Sequence, residues 1–252
     1  MLGLLLILLL QTPDSVISRV GIDQRLGVQV DPSIILHDEQ GRSIRIGDLF
    51  GKRPLLLTPV YYECPMLCSI QLNALARAMK VMPLKPGTDF DVITFSIDPK
   101  ETPELALAKK ERYVRDYGKP GGDAGWHFLT GDEESVKRLT DNIGFHYTVD
   151  PATGQYAHAS TLLALTPDGK ISQYFLSIEY DPGALRYSLI QASGGRMGSV
   201  MDHALLYCYQ YDPSTGKYSL AILRLIRLGG VATILGLLAF AAHASRQRRG
   251  RA

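Results

Sequence analysis

Residues 54–82 read "PLLLTPVYYECPMLCSIQLNALARAMKVM" and place an apolar run, two cysteines and an amphipathic run next to one another. The apolar run at 54–62 is typical of a buried strand. Across 70–82, apolar residues recur at helical spacing, which predicts a helix. The two cysteines, Cys64 and Cys68, are therefore expected at a strand-to-helix turn.

The rest of the chain predicts the fold that surrounds these cysteines. Strands and helices alternate downstream of Cys68, and a hairpin and a final helix follow. Thr102 and Pro103 are typical of a helix start, and Gly118 of its end. This order predicts an α/β fold of the thioredoxin-like type, a mixed sheet flanked by helices, with the cysteines at the end of a central strand. The predicted elements are a strand at 90–98, a helix at 102–117, a strand at 126–131, a helix at 132–142, a hairpin at 158–176 and a helix at 181–193.

The chain of 252 residues is long enough for one folded core with an appendage. Its apolar fraction of 46% and charged fraction of 21% are ordinary for a globular protein, so most of the chain is expected to fold. The predicted organisation is a signal-like apolar segment at 1–12, a linker at 13–26, a thioredoxin-like domain at 27–193, a juxtamembrane extension at 194–224, a transmembrane helix at 225–244 and a basic tail at 245–252.

Residues 228–244, "LGGVATILGLLAFAAHA", contain no formally charged side chain and predict a membrane span. The run reaches the lower limit of about 17 residues for a span, and Arg224 and Arg227 can extend it by snorkelling. Four arginines follow, at positions 246, 248, 249 and 251. By the positive-inside rule we expect the tail in the cytoplasm and the domain on the extracytoplasmic (periplasmic) side, with membrane lipid as a partner. The apolar run at 2–10 has the length of a signal-peptide core, which agrees with export.

The charge balance excludes one class of partner. The formal net charge is +2, from 27 basic and 25 acidic residues. Without the four tail arginines, 23 basic residues face 25 acidic ones, so the remainder of the chain carries −2. A body with this charge is not a basic nucleic-acid binder, and no nucleic-acid partner is expected.

The spacing of Cys64 and Cys68 allows two kinds of chemistry. Residues four apart inside a helix have Cβ atoms about 5–6 Å apart, whereas a disulfide needs about 3.5–4.5 Å. A disulfide is therefore unstrained only if Cys64 precedes the helix, and Pro65 at the first helical position favours that placement. A metal ion bridges two sulfurs over a longer distance, at about 2.3 Å per bond. A purely structural disulfide is disfavoured, because closing so short a loop gains little stability.

The start of a helix also favours the thiolate form of a cysteine. Its unpaired N–H groups and its dipole stabilise negative charge. The thiolate is the form that attacks disulfides and the form that binds metals, so both chemistries stay open.

A soft metal site needs a third ligand, and six histidines compete for that role. His158 opens the predicted hairpin strand, whose start faces the cysteine-bearing loop in a thioredoxin-like fold. His158 is therefore the predicted third ligand. His203 lies near Cys208 and is a candidate for a second site. The other histidines are expected to be structural or interfacial: His37, His127, His146 and His243.

Three stretches together resemble the Sco/SenC family of copper chaperones. They are "YYECPMLC" at 61–68, "SIDPKETPE" at 96–104 and "YAHASTLLALTPDGKI" at 156–171, in the family's order within residues 27–193. The resemblance implies one copper ion, Cu(I) or Cu(II), bound by Cys64, Cys68 and His158 in a thioredoxin-like fold. It also implies a role in assembling the CuA centre of cytochrome c oxidase, through copper delivery, reduction of the receiving cysteines, or both. The oxidase subunit that carries this centre is the expected partner.

Asp98, within "SIDPKETPE", matches a family aspartate near the metal site. We assign it a supporting role, and a plain cap at the strand end is the alternative. Two features depart from the commonest family pattern. The clear membrane span is C-terminal rather than N-terminal, and the segment "LLYCYQYDPSTGKYS" at 205–219 is additional.

The choice of metal follows from the ligands. Two thiolates and an imidazole suit Cu(I), a soft ion, and also hold Cu(II) when the geometry allows. Zinc ordinarily takes a fourth ligand, and the remaining cysteine in the chain is Cys208. Copper is therefore the expected metal.

Two enzymatic alternatives also use these cysteines. A thiol–disulfide oxidoreductase would use Cys64 and Cys68 as catalytic residues, and a dedicated reductase of a client's cysteines stays open. Thioredoxins place a cis-proline before the hairpin strand, whereas His158 stands near that place here, which favours metal binding. A peroxidase is disfavoured, because no arginine accompanies the cysteines in "TPVYYECPMLC". The chain is expected to be a metallochaperone rather than an enzyme.

Overall fold

The computed structural model describes residues 19–64 and 67–194, the pairs 211–212 and 217–218, and residues 230, 233 and 235. The chain divides into two compact units, residues 1–197 and 198–252. The first unit contains the cysteine motif and all the elements that surround it.

The first unit has ten strands and five α-helices in its described part. The strands are β1 (Gly21–Ile22), β2 (Ile35–His37), β3 (Ser43–Arg45), β4 (Leu55–Val60), β5 (Asp91–Ser96), β6 (Trp126–Leu129), β7 (Phe145–Val149), β8 (Tyr156–His158), β9 (Leu162–Leu165) and β10 (Ile171–Phe175). The helices are α1 (Leu67–Val81), α2 (Pro103–Tyr117), α3 (Gly122–Gly125), α4 (Glu133–Asn142) and α5 (Pro182–Ala192), and a short 3-10 helix covers Ile46–Leu49.

A mixed five-stranded sheet forms the centre, in the order β10-β9-β4-β5-β6. Strands β4, β5 and β6 are parallel, and β9 is antiparallel to both of its neighbours. The register pairs Val60 with Ser96, so the carboxyl ends of β4 and β5 lie side by side. The predicted thioredoxin-like α/β fold is confirmed, and the cysteine motif follows directly from the carboxyl end of β4.

The core is built from strands that are buried on both faces. All six residues of β4 and all six of β5 are buried. Helix α2 packs an aromatic cluster of Tyr113, Trp126 and Phe128 against the sheet, with ring centroids 5.4–6.0 Å apart. Burying one large apolar side chain contributes about 1.5–3 kcal/mol, so this core holds the motif-bearing strand firmly in place.

The helix ends follow the chemistry of their capping residues. The Thr102 hydroxyl accepts a hydrogen bond from the Leu105 N–H, and Gly118 ends α2 in the left-handed conformation at φ 66°. The side chains of Asp132 and Asp181 cap α4 and α5 in the same way. The boundaries predicted for these three helices are therefore confirmed to within one or two residues.

The prediction that His158 opens the hairpin strand was wrong. His158 ends β8, which pairs with β7 and brings His158 opposite Tyr147, whereas the hairpin strand β9 begins at Leu162. The cause is an additional tight turn: Asp150 accepts the Ala152 N–H at 2.9 Å, and Gly154 adopts φ 70°. This turn makes β7 and β8 a hairpin of their own.

The folded part begins before Gly27. Strand β1 lies inside the predicted linker at 13–26, yet it pairs with β7. The Asp23 N–H donates to the Gly144 carbonyl at 2.8 Å. A Cβ at Gly144 would lie 2.0 Å from the Asp23 carbonyl oxygen, so this close approach requires glycine.

The remaining predicted segments fall on other parts of the chain. The signal-like segment at 1–12 and the tail at 245–252 lie outside the described residues, as does most of the predicted span at 225–244. Among the residues that are described, no helix is long and apolar enough to cross a membrane. In the second unit, β11 (Tyr211–Asp212) pairs antiparallel with β12 (Lys217–Tyr218).

Candidate metal centre

The structure brings Cys68 and His158 into direct contact. Cys68 lies in the first turn of α1 and His158 ends β8, ninety residues further along the chain. The Cys68 Sγ and His158 Nε2 atoms are 3.3 Å apart. The predicted third ligand therefore faces the cysteine motif, although it does so from a different strand than expected.

Cys64 lies in the loop before α1, as the spacing argument required. Its N–H donates to the Tyr61 carbonyl at 3.3 Å, and its sulfur accepts the Cys68 N–H at 3.4 Å. The placement predicted for Pro65 falls outside the described residues. Both cysteines are buried and carry unbridged thiols, and Cys68 lies between the Cys64 sulfur and the half-buried imidazole of His158 at the end of β4.

The distances fit a small metal ion after a slight opening. With bonds of about 2.3 Å to sulfur and about 2.0 Å to nitrogen, two ligands at tetrahedral to trigonal angles lie about 3.5–3.7 Å apart. The observed 3.3 Å between Cys68 and His158 needs to grow by only a few tenths of an ångström. Within residues 19–64 and 67–194, no three His, Cys, Asp or Glu side chains already form a complete ligand set. Binding of one ion by Cys64, Cys68 and His158 therefore requires these side chains to rearrange.

His158 is held in the orientation that a metal ligand needs. Its Nδ1 lies 3.0 Å from the Ala159 carbonyl oxygen, which can only accept, so Nδ1 carries the proton. In the neutral ring, the Nε2 lone pair then points at Cys68. The rings of Tyr61 and Phe145 pack against the imidazole, each with its centroid 5.9 Å away.

The ion-free site does not favour a thiolate at Cys68. The hydrogen bond with Cys64 and then burial raise the pKa of the Cys68 thiol well above its ordinary value. These effects outweigh the position at the start of α1, from which the sequence argument expected a stabilised thiolate. Burial, followed by the hydrogen bond with Cys64, likewise raises the pKa of Tyr61. The Cys68 thiol therefore keeps its proton until a cation displaces it.

Asp98 reaches the site through aromatic rings. Its Oδ1 accepts the Lys100 N–H at 2.9 Å, which is the cap at the strand end. The same oxygen accepts the Tyr156 hydroxyl at 3.2 Å. The Tyr156 ring packs on Tyr61 at 5.5 Å. The cap is thus observed, and the contact with Tyr156 is the route by which a supporting role can act.

Two neighbours of the site were missed in the sequence. Tyr61 packs against His158, and its position next to the motif was an available signal. Glu101 is buried beside the loop that carries Cys64. Its two partners in that loop, Tyr62 and Glu63, are 39 and 38 residues away in the chain, so no local pattern could reveal them.

The other histidines lie elsewhere in the fold. His37 contacts the Ser43 hydroxyl at 3.3 Å, and His146 contacts Asp23 at 2.9 Å. His127 lies in β6, and burial lowers its pKa. None of these contacts involves Cys64 or Cys68, and these three histidines stay predicted to be structural. His203, Cys208 and His243 lie outside the described residues.

These features define a thioredoxin-like domain with a partly buried thiol–imidazole site at the turn between β4 and α1. The sequence profile of the SCO1/SenC family matches residues 23–190, and the chain belongs to this family. A search of curated protein sequences finds no match.

Several solved structures are similar over most of their length. A protein of Aquifex aeolicus, described provisionally as an electron transfer protein, is 28% identical with a TM-score of 0.59 and covers 68% of this chain and 96% of its own. Arabidopsis thaliana ScoI, solved with copper bound, is 18% identical with a TM-score of 0.52, covering 65% and 97%. BsSco, a member of the Sco family of cytochrome c oxidase assembly proteins, is 20% identical with a TM-score of 0.51, covering 68% and 98%. The last two likenesses concern the fold.

Proposed function

We propose that this chain is a copper chaperone that holds one copper ion through Cys64, Cys68 and His158 and assists assembly of the CuA centre of cytochrome c oxidase. The observation that carries the proposal is the 3.3 Å approach of the Cys68 sulfur to the His158 nitrogen in a SCO1/SenC domain. The oxidase subunit that carries the CuA centre is the proposed partner.

The donor set supports copper as the cargo. Thiolates and an imidazole match the softness of Cu(I) and tolerate Cu(II). Arabidopsis ScoI was solved with copper bound, and BsSco is described as a cytochrome c oxidase assembly protein. A site of three ligands leaves room for an incoming cysteine, which suits transfer to a client by ligand exchange.

Each residue has a defined task in this proposal. Cys64 and Cys68 release their protons when the ion binds, so binding strengthens as pH rises. His158 presents its Nε2 lone pair because Nδ1 is tied to the Ala159 carbonyl. Asp98 accepts a hydrogen bond from Tyr156, whose ring packs on Tyr61, and Tyr61 in turn packs against His158. Asp98 thereby supports the aromatic rings beside the site.

We also propose that the domain is tethered to the membrane by residues 225–244. The uncharged run and the arginines that follow it support a cytoplasmic C-terminus and a domain on the periplasmic side. A membrane-impermeant thiol reagent should label an engineered cysteine at the partly exposed Lys109 in intact spheroplasts. Labelling only after lysis would contradict this orientation.

A dedicated thiol–disulfide reductase of the client's cysteines is the second candidate function. It is favoured by the adjacency of two unbridged thiols, with the Cys64 sulfur 3.4 Å from the Cys68 nitrogen. The raised pKa of Cys68 disfavours it, because the thiolate is the attacking form. The reductase would also have no need for His158.

Copper titration of the purified full chain tests the main proposal. We expect about one Cu(I) per chain, with affinity falling sharply in Cys64→Ala, Cys68→Ala and His158→Ala. His127→Ala is the matched control, since His127 lies in β6 and should leave binding unchanged. Wild-type affinity in the His158 variant would remove the histidine from the ligand set and favour the reductase.

A further inference from the structure

We propose that Glu101 is a positioning residue for the metal centre: its carboxylate holds the loop backbone at Tyr62 and Glu63, which keeps Cys64 within reach of Cys68 and His158. The inference rests on the proposed copper site and assigns a task to a residue that is not itself a ligand.

The Glu101 carboxylate accepts hydrogen bonds from two consecutive backbone N–H groups. Glu101 Oε2 accepts the Tyr62 N–H at 2.7 Å, and Oε1 accepts the Glu63 N–H at 2.7 Å. The Ser96 hydroxyl donates to Oε2 at 2.5 Å. Hydrogen bonds to an ionised acceptor are short and strong, and two parallel ones also fix direction. The residue that follows this pair of N–H groups is Cys64.

The contact with Tyr62 is internal to the protein, whereas Glu63 itself is an exposed residue. Glu101 is only 8% exposed and Tyr62 only 3%. No strand or helix partner among the described residues satisfies the Tyr62 N–H, and a buried donor left without an acceptor costs about 1–3 kcal/mol. Burying a carboxylate without a cation is itself unfavourable. A charged residue at this position is therefore explained by what it holds.

The backbone around Glu101 is itself fixed by hydrogen bonds and by the start of α2. The Glu101 N–H donates to the Asp98 carbonyl at 3.1 Å, and the next residue, Thr102, caps α2. The Ile97 N–H donates to the Val60 carbonyl at 2.7 Å, which extends the pairing of β4 with β5 beyond the strands. Glu101 therefore transmits the position of β5 and α2 to the Cys64 loop.

Positioning and charge predict opposite results when Glu101 is neutralised. Two thiolates with Cu(I) carry a net charge of −1, so a nearby carboxylate opposes this state. If Glu101 acted through charge alone, Glu101→Gln would tighten Cu(I) binding. If it positions the loop, Glu101→Gln should weaken binding, because the amide accepts only one N–H and turns an NH₂ toward the other.

The experiment compares Cu(I) dissociation constants of the full chain, measured by competition with a chromophoric chelator well below every melting temperature. We expect Glu101→Gln to weaken binding about tenfold, the effect of losing roughly one charge-assisted hydrogen bond, and Glu101→Ala to weaken it further. Glu104→Gln is the control, because Glu104 is exposed in the first turn of α2. It should stay within about twofold of wild type. Equal or tighter binding in Glu101→Gln would overturn the inference.

A second measurement keeps the inference open to refutation if the variants fail to fold or if the wild type binds no copper. Amide hydrogen exchange in the metal-free wild type should show slow exchange at Tyr62 and Glu63. Exchange at these amides as fast as at an exposed loop amide would refute the two hydrogen bonds to Glu101. If wild type binds no copper while these amides are protected, the proposed function fails and the positioning of the loop stands.

Discussion

Two buried glutamates sit against helix α2 and are stabilised in different ways. Glu39, after β2, pairs with the buried Lys110, and its Oε2 has no hydrogen-bond partner among the described residues. Glu101, just before α2, accepts from two backbone N–H groups and one hydroxyl. Nine residues separate Lys110 from Glu101, or about 14 Å along a helix.

The difference separates a structural ion pair from a positioning contact. A cation neutralises Glu39, and the pair joins the β2 region to α2 without touching the metal centre. Glu101 instead accepts hydrogen bonds from the backbone next to Cys64. The first glutamate should therefore govern the stability of the fold, and the second the geometry of the copper site.

Removing the cation from the structural pair should give the largest change in stability. Lys110→Met leaves Glu39 as a buried, unpaired charge, which should lower the free energy of unfolding by about 3–5 kcal/mol. Cu(I) affinity should stay within about twofold of wild type, because the pair lies far along α2. Urea unfolding and chelator competition on the same samples measure both quantities.

The double variant Glu39→Met/Lys110→Met is the control, and it should recover most of the loss because no unpaired charge remains. A loss below about 1 kcal/mol in Lys110→Met would show that the pair behaves like a solvated surface pair. Weakened copper binding in Lys110→Met would contradict the proposal that Glu39 serves the stability of the fold and Glu101 the geometry of the copper site.

A smaller change in stability is expected when Tyr62, in the same loop, loses its side-chain hydroxyl. The Tyr62 hydroxyl donates to the Leu129 carbonyl at 2.8 Å, and the Thr94 carbonyl is 3.2 Å away. Tyr62→Phe should cost about 1–2 kcal/mol of stability. Its backbone N–H still donates to Glu101, so copper affinity should change little. A loss of affinity equal to that in Glu101→Gln would assign the positioning to the Tyr62 hydroxyl instead.

The smallest expected effect is a pH dependence near the structural pair. Burial lowers the pKa of His127, while the charges of Glu39 and Asp91 raise it and those of Lys110 and Arg53 lower it again. Below about pH 6.5 the unfolded chain therefore binds a proton that the folded chain does not, and stability falls as pH falls, by at most about 1.4 kcal/mol per pH unit.

Unfolding curves between pH 7.5 and pH 5 of the wild type and of His127→Gln measure this contribution. The stability of the variant should decline less steeply in the acid range. Identical slopes for the two proteins would mean that His127 titrates normally in the folded state.

Residues that act locally were predictable, and those that act at long range were not. Thr102 and Gly118 set the ends of α2 by rules that involve neighbours in the sequence. The resemblance of "YYECPMLC" selected Cys64 and Cys68 without any structure. The strand of His158 was wrong because the turn at Asp150 and Gly154 gives β8 a partner that periodicity does not reveal.

The environment of the site needed the structure for physical reasons. A glutamate in a sequence is ordinarily an exposed residue, and only the adjacent ends of β4 and β5 bury Glu101 next to Tyr62. The direction of the Cys68 pKa depends on burial and on Cys64, and both outweigh the helix position that the sequence displays. The burial of Glu101 and the direction of the Cys68 pKa therefore depend on tertiary contacts, which local sequence patterns do not show.

The most direct test of the central claim is X-ray absorption spectroscopy of the Cu(I)-loaded full chain. We predict two sulfur ligands and one nitrogen ligand per copper in the wild type. In His158→Ala the nitrogen contribution should disappear while both sulfurs stay. A wild-type spectrum with fewer than two sulfurs, or one that His158→Ala leaves unchanged, would contradict a copper site made by Cys64, Cys68 and His158.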